Sequence, residues 1–307
     1  MTERKGLSRR DFVKATAAGV GAAALFGGFN PKDAVAKLPK KWDAESDVVI
    51  VGAGGAGLAA AVQIASQGKK VILLEKMPTI GGSSLICGGQ LAFAGTDLQA
   101  SENVKDSNDL FYKDLMKVGE NVNVPALVKA YVDNQIETYE WLKKTGVKFI
   151  KLGIASGMSV PRSHNVVPSD LLKVLNDEAK KRGVKFLMGT AASRLVVDEK
   201  TGSVRGVQAE AKGKTVFYGA KKGVILTSGG FSLNKELLAK FVPPMAFSKA
   251  MVGRGSNGDG LKMAWALGAD IKDMPYIKAT FGFDLEAQTI KNDFTLIFYQ
   301  GAIIVNK

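Results

Sequence analysis

Three glycines at fixed spacing, followed by one acidic residue, are the part of this chain best suited to hold a phosphate-containing ligand. Gly52, Gly54 and Gly57 follow an apolar, β-branched run at 48–51, and Glu75 ends a second apolar run. Gly52 permits a tight turn, Gly54 lets a pyrophosphate approach the backbone, and Gly57 lets the next helix pack close to the strand.

The elements around these glycines must position the phosphate and the sugar. A helix predicted over 55–67 would point its N-terminal amides and the positive end of its dipole at the phosphates. The Glu75 carboxylate could then accept hydrogen bonds from ribose hydroxyls. This order of strand, glycine turn, helix and acid-ended strand predicts a dinucleotide-binding βαβ unit. The alternative is a strand–helix turn without a ligand, since 35 glycines make chance matches easy.

A second glycine-rich stretch indicates which dinucleotide is bound. It combines backbone freedom with hydroxyl donors in Gly81, Gly82, Ser83, Ser84, Gly88 and Gly89. An NAD site does not need this second loop, whereas an extended cofactor that carries a flavin does, so we predict FAD. The only cysteine, Cys87, lies in the same loop and excludes both an intrachain disulfide and a Cys-x-x-Cys-His haem site. We expect it to be a small buried residue.

The composition limits which classes of protein the chain can belong to. A chain of 307 residues can form one large or two medium domains. The net charge is +13, but the basic residues are not clustered with aromatic ones, so no nucleic-acid partner is predicted. The excess charge predicts solvated lysine surfaces, or attraction of anionic substrates or an acidic redox partner. No metal site is predicted.

The N-terminus has the pattern of an export signal. Arg9 and Arg10 precede a mildly apolar run at 15–29, and Ala34-Val35-Ala36 offers a cleavage site before Lys37. A run of 15 residues is too short to span a bilayer, which takes about 20, so no stable membrane span is expected. We predict a twin-arginine signal peptide over 1–36, a linker over 37–45 and a periplasmic protein. The alternative is a basic cytosolic tail.

Apolar periodicity predicts an α/β fold. We expect a Rossmann-like FAD-binding domain over 46–278, with an inserted small β-sheet. Helices are predicted within 106–146, over 169–181 and from 258 to 267. A strand is predicted at 147–152 and another at 223–231. The small sheet is predicted from the strands at 184–188, 194–198, 204–211 and 215–219.

Residues 46–307 resemble the flavoprotein family of soluble fumarate reductases, urocanate and acrylate reductases, and 3-oxosteroid dehydrogenases. The shared motifs occur in the family order: Gly52-x-Gly-x-x-Gly57, Glu75-Lys76, Gly81-Gly82-Ser83-Ser84, Gly88-Gly89, Arg162-Ser163-His164, Thr227-Ser-Gly-Gly-Phe231 and Gly258-Asp-Gly-Leu261.

The resemblance implies that residues 279–307 are the incomplete beginning of an α+β cap (substrate) domain. It also implies FAD contacts and hydride transfer between the flavin and an activated C–C bond. The implied FAD contacts are Ala56, Glu75, Ser83, Ser84, Gly88, Gly89, Ala192 and Asp259. The shared motifs add Gly52, Gly54, Gly57, Lys76, Gly82 and Gly229 to the candidate cofactor-binding residues. For His164, the only histidine, we expect a structural hydrogen-bonding role rather than one beside the flavin.

The sequence departs from the family where fumarate reductases contact their substrate. Thr280 occupies the position of a substrate-contacting histidine, and 294–298 lacks the glutamate and arginine of the proton relay. Fumarate is therefore not the expected substrate. The replacements are more apolar, which suits either an aromatic or larger substrate or a cap-domain core: Phe281, Phe283, Phe294, Phe298 and Tyr299.

These inferences predict an exported FAD oxidoreductase that reduces an activated C=C bond of a small unsaturated organic acid. Because no haem motif is present, we expect a separate cytochrome or quinol-linked electron donor. The alternatives are a 3-oxosteroid-type dehydrogenase acting on a ring ketone and a non-catalytic flavin-binding fragment. By the resemblance the chain is truncated within the cap, so the catalytic residues stay unknown.

Overall fold

The structure is a computed structural model that describes residues 34–155, 157–277, 283–284 and 289–290. The strands in chain order are β1 (Val35–Lys37), β2 (Ala44–Val51), β3 (Val71–Glu75), β4 (Gln90–Ala92), β5 (Lys151–Gly153), β6 (Ser163–Asn165), β7 (Lys185–Met188), β8 (Thr190–Asp198), β9 (Ser203–Ala211), β10 (Lys214–Leu226), β11 (Phe283–Asp284) and β12 (Thr289–Ile290). A seven-stranded mixed sheet has the order β1-β8-β9-β10-β2-β3-β7.

Eight α-helices complete the described part of the chain. They are α1 (Gly55–Ser66), α2 (Gly82–Leu85), α3 (Asp97–Ser101), α4 (Asn108–Val118), α5 (Pro125–Thr145), α6 (Pro168–Lys181), α7 (Lys235–Phe241) and α8 (Asp259–Trp265). The segment 106–146, which was predicted to be helical, contains the two helices α4 and α5. Helix α5 is terminated by Gly146, whose backbone has the left-handed conformation (φ 106°) that is typical of a C-terminal glycine. None of the described helices combines the length and apolarity that a bilayer span requires.

Strands β10, β2, β3 and β7 form the parallel part of the large sheet. Alternate residues of β2 face opposite sides: Val48 and Ile50 pack in one core cluster, and Val49 and Val51 in the other. Helix α1 contributes Leu58 to the first cluster. Both faces of the parallel strands are thus covered, which explains their nearly continuous apolar sequence.

The strands predicted as an inserted small sheet belong to the large sheet instead. β7 pairs with β3, and β8, β9 and β10 form an antiparallel extension of the same sheet. β10 joins the two parts because it pairs with β9 over 214–219 and with β2 over 218–226, across an irregularity between Ala220 and Gly223. The break between the two predicted strands is therefore a bulge within one strand.

A separate three-stranded sheet has the order β4-β6-β5 and carries the Arg162-Ser163-His164 segment. Its β5 strand is shorter and later than the strand predicted at 147–152. The inserted small sheet of this fold is thus built from residues 90–92, 151–153 and 163–165.

The predicted boundary of the signal peptide falls in a described strand. Val35, Ala36 and Lys37 pair in parallel with Leu195, Val196 and Val197 of β8. Residues 1–33, with the twin-arginine pattern, lie outside the described residues, as do 278–282 and 294–299 of the predicted substrate region. Of the predicted cap, the described backbone gives only the β11–β12 pair.

Candidate cofactor site

A cavity of about 200 Å³ lies at the carboxyl ends of β2, β3 and β10. Ligands of open parallel sheets bind at this edge. Eleven of the fourteen predicted cofactor-binding residues line it: Gly52, Gly54, Ala56, Glu75, Lys76, Gly82, Ser83, Ser84, Ala192, Gly229 and Asp259. The fold thus brings together residues that are more than 200 positions apart in the chain.

The glycine turn between β2 and α1 leaves no room for side chains at two positions. Gly52 has φ 107°, and a Cβ there would lie 2.5 Å from the carbonyl oxygen of Thr227. A Cβ on Gly57 would lie 1.9 Å from the carbonyl oxygen of Gly52. Gly57 does not line the cavity, so it serves the close packing of helix on strand that was predicted for it.

The N-terminus of α1 is suited to bind an anion. Gly54 provides no side-chain cap, and the first turn contains no acidic residue that would offset the helix dipole. The N–H of Gly55 donates to Ser84 Oγ at 3.1 Å, which ties the second glycine loop to the helix start. A Cβ on Gly54 would meet only the Gly81 oxygen and Ser84 Oγ, at 3.7 and 3.8 Å, so this wall is open to a ligand.

The Glu75 carboxylate connects the end of β3 with the glycine turn. Its Oε2 accepts a hydrogen bond from the N–H of Ala53, and its Oε1 accepts one from the N–H of Met77, both at 2.8 Å. The side chain is buried but lines the cavity. A carboxylate has acceptor positions left after two hydrogen bonds, so it can also receive ribose hydroxyls.

The sequence profile described as an FAD binding domain matches residues 47–284. The chain belongs to this FAD-binding domain family. FAD is accordingly its cofactor, and the open wall at Gly54, the uncapped helix start and the buried Glu75 acceptors fit the pyrophosphate and ribose of that molecule. When bound, FAD supplies two-electron, hydride-transfer chemistry, while the protein supplies binding and orientation.

Relatives of this FAD-binding domain are reductases. It is 35% identical over 266 residues to a fumarate reductase (cytochrome) of Shewanella frigidimarina, covering 85% of this chain and 46% of the relative. It is 33% identical over 293 residues to a urocanate reductase of Eggerthella lenta (89% and 46%) and 32% identical over 284 residues to the acrylate reductase flavoprotein subunit of Shewanella woodyi (88% and 55%). The chain spans about half the length of these relatives.

Two solved structures have the same architecture. An open conformation of a flavocytochrome c3 fumarate reductase matches with a TM-score of 0.74 at 27% identity, covering 91% of this chain and 46% of that one. A 3-ketosteroid-Δ4-(5α)-dehydrogenase of Rhodococcus jostii RHA1 matches with a TM-score of 0.72 at 28% identity, covering 79% and 58%. The predicted family and fold class are thereby confirmed.

Lys76 and Asp259 form an ion pair across the cavity of the FAD-binding domain. Lys76 Nζ lies 2.6 Å from Asp259 Oδ2, with the two side chains 23% and 37% exposed. Lys76 follows β3, whereas Asp259 is the first residue of α8, as predicted. The two residues therefore connect opposite walls of the site.

Two predicted contacts of the second glycine loop do not line the cavity. Gly88 has open space around it, and a Cβ on Gly89 would lie 2.1 Å from the Val166 carbonyl oxygen. The expectation that Cys87 is buried is wrong: it is exposed. The loop turns outward after α2, so Cys87 Sγ donates to the backbone oxygen of Ser84 and accepts from the N–H of Gly89 at the surface.

Several cavity residues of the FAD-binding domain are absent from the predicted set. Thr227 and Ser228 lie in a motif that was recognised, but no role was assigned to them. A third segment, 253–256, reads Gly-Arg-Gly-Ser. Its two glycines and its serine resemble the second glycine-rich stretch, and this likeness was the sequence signal that could have identified it. The other unpredicted lining residues are Val51, Gly55, Leu74, Met77, Thr190, Gly253, Gly255 and Ser256.

His164 has the structural role that was expected. It is fully buried, and its ring nitrogens hydrogen-bond Thr96 Oγ1 and the backbone oxygen of Arg162, both at 2.8 Å. The ring packs edge-on against Phe93 and Phe149. Burial lowers the pKa of His164, so the ring is neutral near pH 7.

Arg162 is the centre of a buried ionic cluster. Its guanidinium lies 2.7 Å from Asp106 Oδ1 and 2.7 Å from Asp114 Oδ2, and all three side chains are almost inaccessible to solvent. Burial alone would raise the pKa of Asp114, but hydrogen bonds from Ser159 and Arg162 outweigh it and lower that pKa. The cluster does not line the cavity, so it fixes the loop before β6 rather than the cofactor.

The described residues contain no group of three or more His, Cys, Asp or Glu side chains placed to hold a metal ion.

Proposed function

We propose that this FAD-binding domain works in an exported oxidoreductase that reduces an activated C=C bond of an enoate or acrylate type. The observation that carries the proposal is the groove at the carboxyl edge of the sheet, which combines an open phosphate wall with the buried Glu75 acceptor. It is supported by relatives of 32–35% identity that are named as reductases of fumarate, urocanate and acrylate.

The reaction adds two electrons and two protons across the double bond. Bound FAD, when reduced, would supply the hydride for one carbon, and a side chain or water would supply the proton for the other. No residue of the cavity is assigned as this proton donor. Because the chain spans about half of its relatives, substrate choice and protonation are proposals about the whole protein.

The proposed substrate is an unsaturated carboxylate other than fumarate. Thr280 stands where the resembled fumarate reductases have a substrate-contacting histidine, and Phe294 and Phe298 border a segment without the acid and the arginine of their relay. These positions lie outside the described residues, so the argument rests on the sequence alone. The apolar replacements suit a larger or aromatic enoate.

The proposed location is the periplasm, and the proposed electron donor is a separate cytochrome or quinol-linked protein. Arg9 and Arg10 in their Ser-Arg-Arg-Asp-Phe context motivate the location. The lack of a Cys-x-x-Cys-His motif in residues 1–307 motivates the separate donor. Comparing the masses of the protein from periplasm and cytoplasm would test export, and retention of the whole protein in the cytoplasm would contradict it.

A second candidate is dehydrogenation of a ring ketone. The similarity to the steroid dehydrogenase of Rhodococcus jostii supports it, because its TM-score of 0.72 nearly equals that of the fumarate reductase. In this case electrons would leave the substrate and reduce the flavin.

Anaerobic assays separate the candidates. The full-length protein is purified and its yellow chromophore is released and identified. Oxidation of reduced viologen is then followed with acrylate, urocanate, a cinnamate-type enoate and fumarate, and dye reduction is followed with 3-oxosteroids. We expect enoates to oxidise viologen and fumarate to be poor. A fumarate rate equal to the best enoate, or steroid-dependent dye reduction alone, would overturn the first proposal.

Gly54→Val supplies a matched control for these assays. The side chain fills the open wall of the groove without meeting a backbone atom closer than 3.7 Å at its Cβ, so we expect a folded protein without FAD.

A full-length protein that holds FAD but turns over none of the substrates would favour the alternative of a non-catalytic flavin-binding fragment.

A further inference from the structure

The segment 253–259, here called the strap, lines the cofactor groove with Gly253, Gly255, Ser256 and Asp259. One side of the strap is anchored to the chain that follows β10: the N–H of Gly258 donates to Gly230 O at 2.9 Å, and Ser256 O accepts from the N–H of Leu233 at 3.0 Å. Ser256 is buried by these contacts. The strap therefore has a fixed base next to β10.

The other side of the strap reaches the opposite wall at α2. The N–H of Gly253 donates to Ser83 Oγ at 3.0 Å. A Cβ on Gly253 would lie 2.6 Å from the backbone of Gly82 and Ser83, so only glycine allows this approach. Gly82, Ser83 and Gly253 all line the cavity, so this contact joins two segments of the groove wall.

Lys76 makes a further contact between the strap and the rest of the groove wall. Its ammonium contacts Asp259 Oδ2 at 2.6 Å, and a Cβ on Gly255 would lie 3.1 Å from its Cε, so the lysine chain lies along the strap. The pair is partly buried, which reduces its screening by salt. Among the residues that the structure describes, no other ion pair joins two residues of the cavity wall.

We infer that Lys76 is a positioning residue that acts through Asp259 to hold the strap closed over bound FAD. The ion pair, the Gly253–Ser83 hydrogen bond and a longer contact of 3.5 Å between the hydroxyls of Ser83 and Ser256 are the three fastenings between the strap and the opposite wall. FAD leaves the groove when these contacts open, so loss of the ion pair accelerates release. Lys76 and Asp259 also line the cavity, and a double-mutant cycle separates their coupling from any contact that each makes with FAD. Lys76 thereby sets how long the domain retains FAD.

A double-mutant cycle tests this inference on the full-length protein. FAD release is followed by fluorescence after dilution into apoprotein-free buffer for wild type, Lys76→Met, Asp259→Asn and the double variant. We expect Lys76→Met to accelerate release about fivefold, as for a partly buried ion pair. In the Asp259→Asn background the same change has no further effect, because its partner is already gone.

Conservative and neighbouring variants distinguish the ion pair from general charge or folding effects. Lys76→Arg keeps a cation and restores slow release. Lys262→Met removes a lysine from α8, one turn beyond Asp259, and leaves release unchanged. Added salt accelerates release from wild type more than from Lys76→Met. An equal effect of Lys76→Met in both Asp259 backgrounds, or an effect of Lys262→Met of the same size, would overturn the inference.

Hydrogen exchange gives a readout that needs no FAD. In the apoprotein the amides of 253–258 exchange faster in Lys76→Met than in wild type or Lys262→Met, because the strap opens more often. Unchanged exchange in this segment contradicts the inference even where the variants release FAD. If wild type binds no FAD, this measurement still tests the strap and so separates its failure from failure of the proposed function.

Discussion

The Glu75 carboxylate accepts a hydrogen bond from the backbone N–H of Ala53 at 2.8 Å, across 22 residues of sequence. The acid that ends β3 therefore fixes the glycine turn that ends β2, before any cofactor is present. Sequence reasoning assigned Glu75 to the ribose alone. The structure gives it a further role, in which the same carboxylate holds the glycine turn that lines the cavity.

Glu75→Gln is expected to weaken both the fold and FAD binding. Both carboxylate oxygens accept from backbone N–H groups, so an amide places its NH₂ against the donor of Ala53 or Met77. We expect a loss of about 1–3 kcal/mol in the free energy of unfolding of the apoprotein, measured in urea. Glu137→Gln on the exposed face of α5 is the control for general charge effects. Full apoprotein stability in Glu75→Gln would mean that Glu75 acts only on the ribose.

Gly57→Ala is expected to disrupt the turn although Gly57 does not line the cavity. Its Cβ would fall 1.9 Å from the carbonyl oxygen of Gly52, so α1 must move away from β2. We expect a cost of about 1–3 kcal/mol or more and loss of bound FAD. Gly230→Ala is the matched control, since its Cβ meets nothing within 4 Å. Equal stability of the two variants in thermal unfolding would refute the packing role.

Arg162→Met is expected to be strongly destabilising. It leaves two buried carboxylates, Asp106 and Asp114, without their cation. Removing one partner of a buried ionic group costs about 3–5 kcal/mol. Exposed Arg205→Met is the control and should change stability by less than about 0.5 kcal/mol. A urea midpoint of Arg162→Met close to that of Arg205→Met would show that the cluster contributes little.

The free energy of unfolding should decrease as the pH falls below 6.5, because His164 is buried in its neutral form. Its pKa is lowered by burial, so the unfolded chain takes up a proton below 6.5 while the folded chain stays neutral. The folded state then loses up to about 1.4 kcal/mol per pH unit until its own pKa is reached. Urea unfolding between pH 7.5 and 5.5 measures the slope. His164→Asn should remove that part of the slope, and an unchanged slope would assign it to other groups.

A chain that begins at Lys37 is expected to be less stable than one that begins at Asp33. Strand β1 pairs with β8, and Ala34 and Ala36 are buried against the large sheet. Losing these contacts should cost on the order of 2 kcal/mol. Urea unfolding of both forms measures the difference. If they are equally stable, β1 contributes only local order, and cleavage after Ala36 would leave the folded domain intact.

Local patterns predicted much of the site. The βαβ unit and its glycines follow from a motif in which neighbouring residues must share one backbone geometry. Other cavity residues, such as Ala192 and Asp259, were predicted from the family resemblance. Gly88, Gly89 and Cys87 show where local patterns stop. The two glycines do not line the cavity, Gly89 is needed for close approach to Val166, and Cys87 turns to solvent. The sequence alone does not distinguish a glycine that the backbone conformation requires from a glycine that a ligand requires.

By itself, the sequence determined the dinucleotide unit, the predicted cofactor and the order of most helices and strands. Each of these depends on periodicity or on spacing within about 30 residues, which side-chain geometry enforces locally. Only the tertiary structure decided that β8–β10 extend the main sheet and that Lys76 meets Asp259 across the groove. Pairings between distant segments depend on how whole layers pack, and no local pattern encodes that choice.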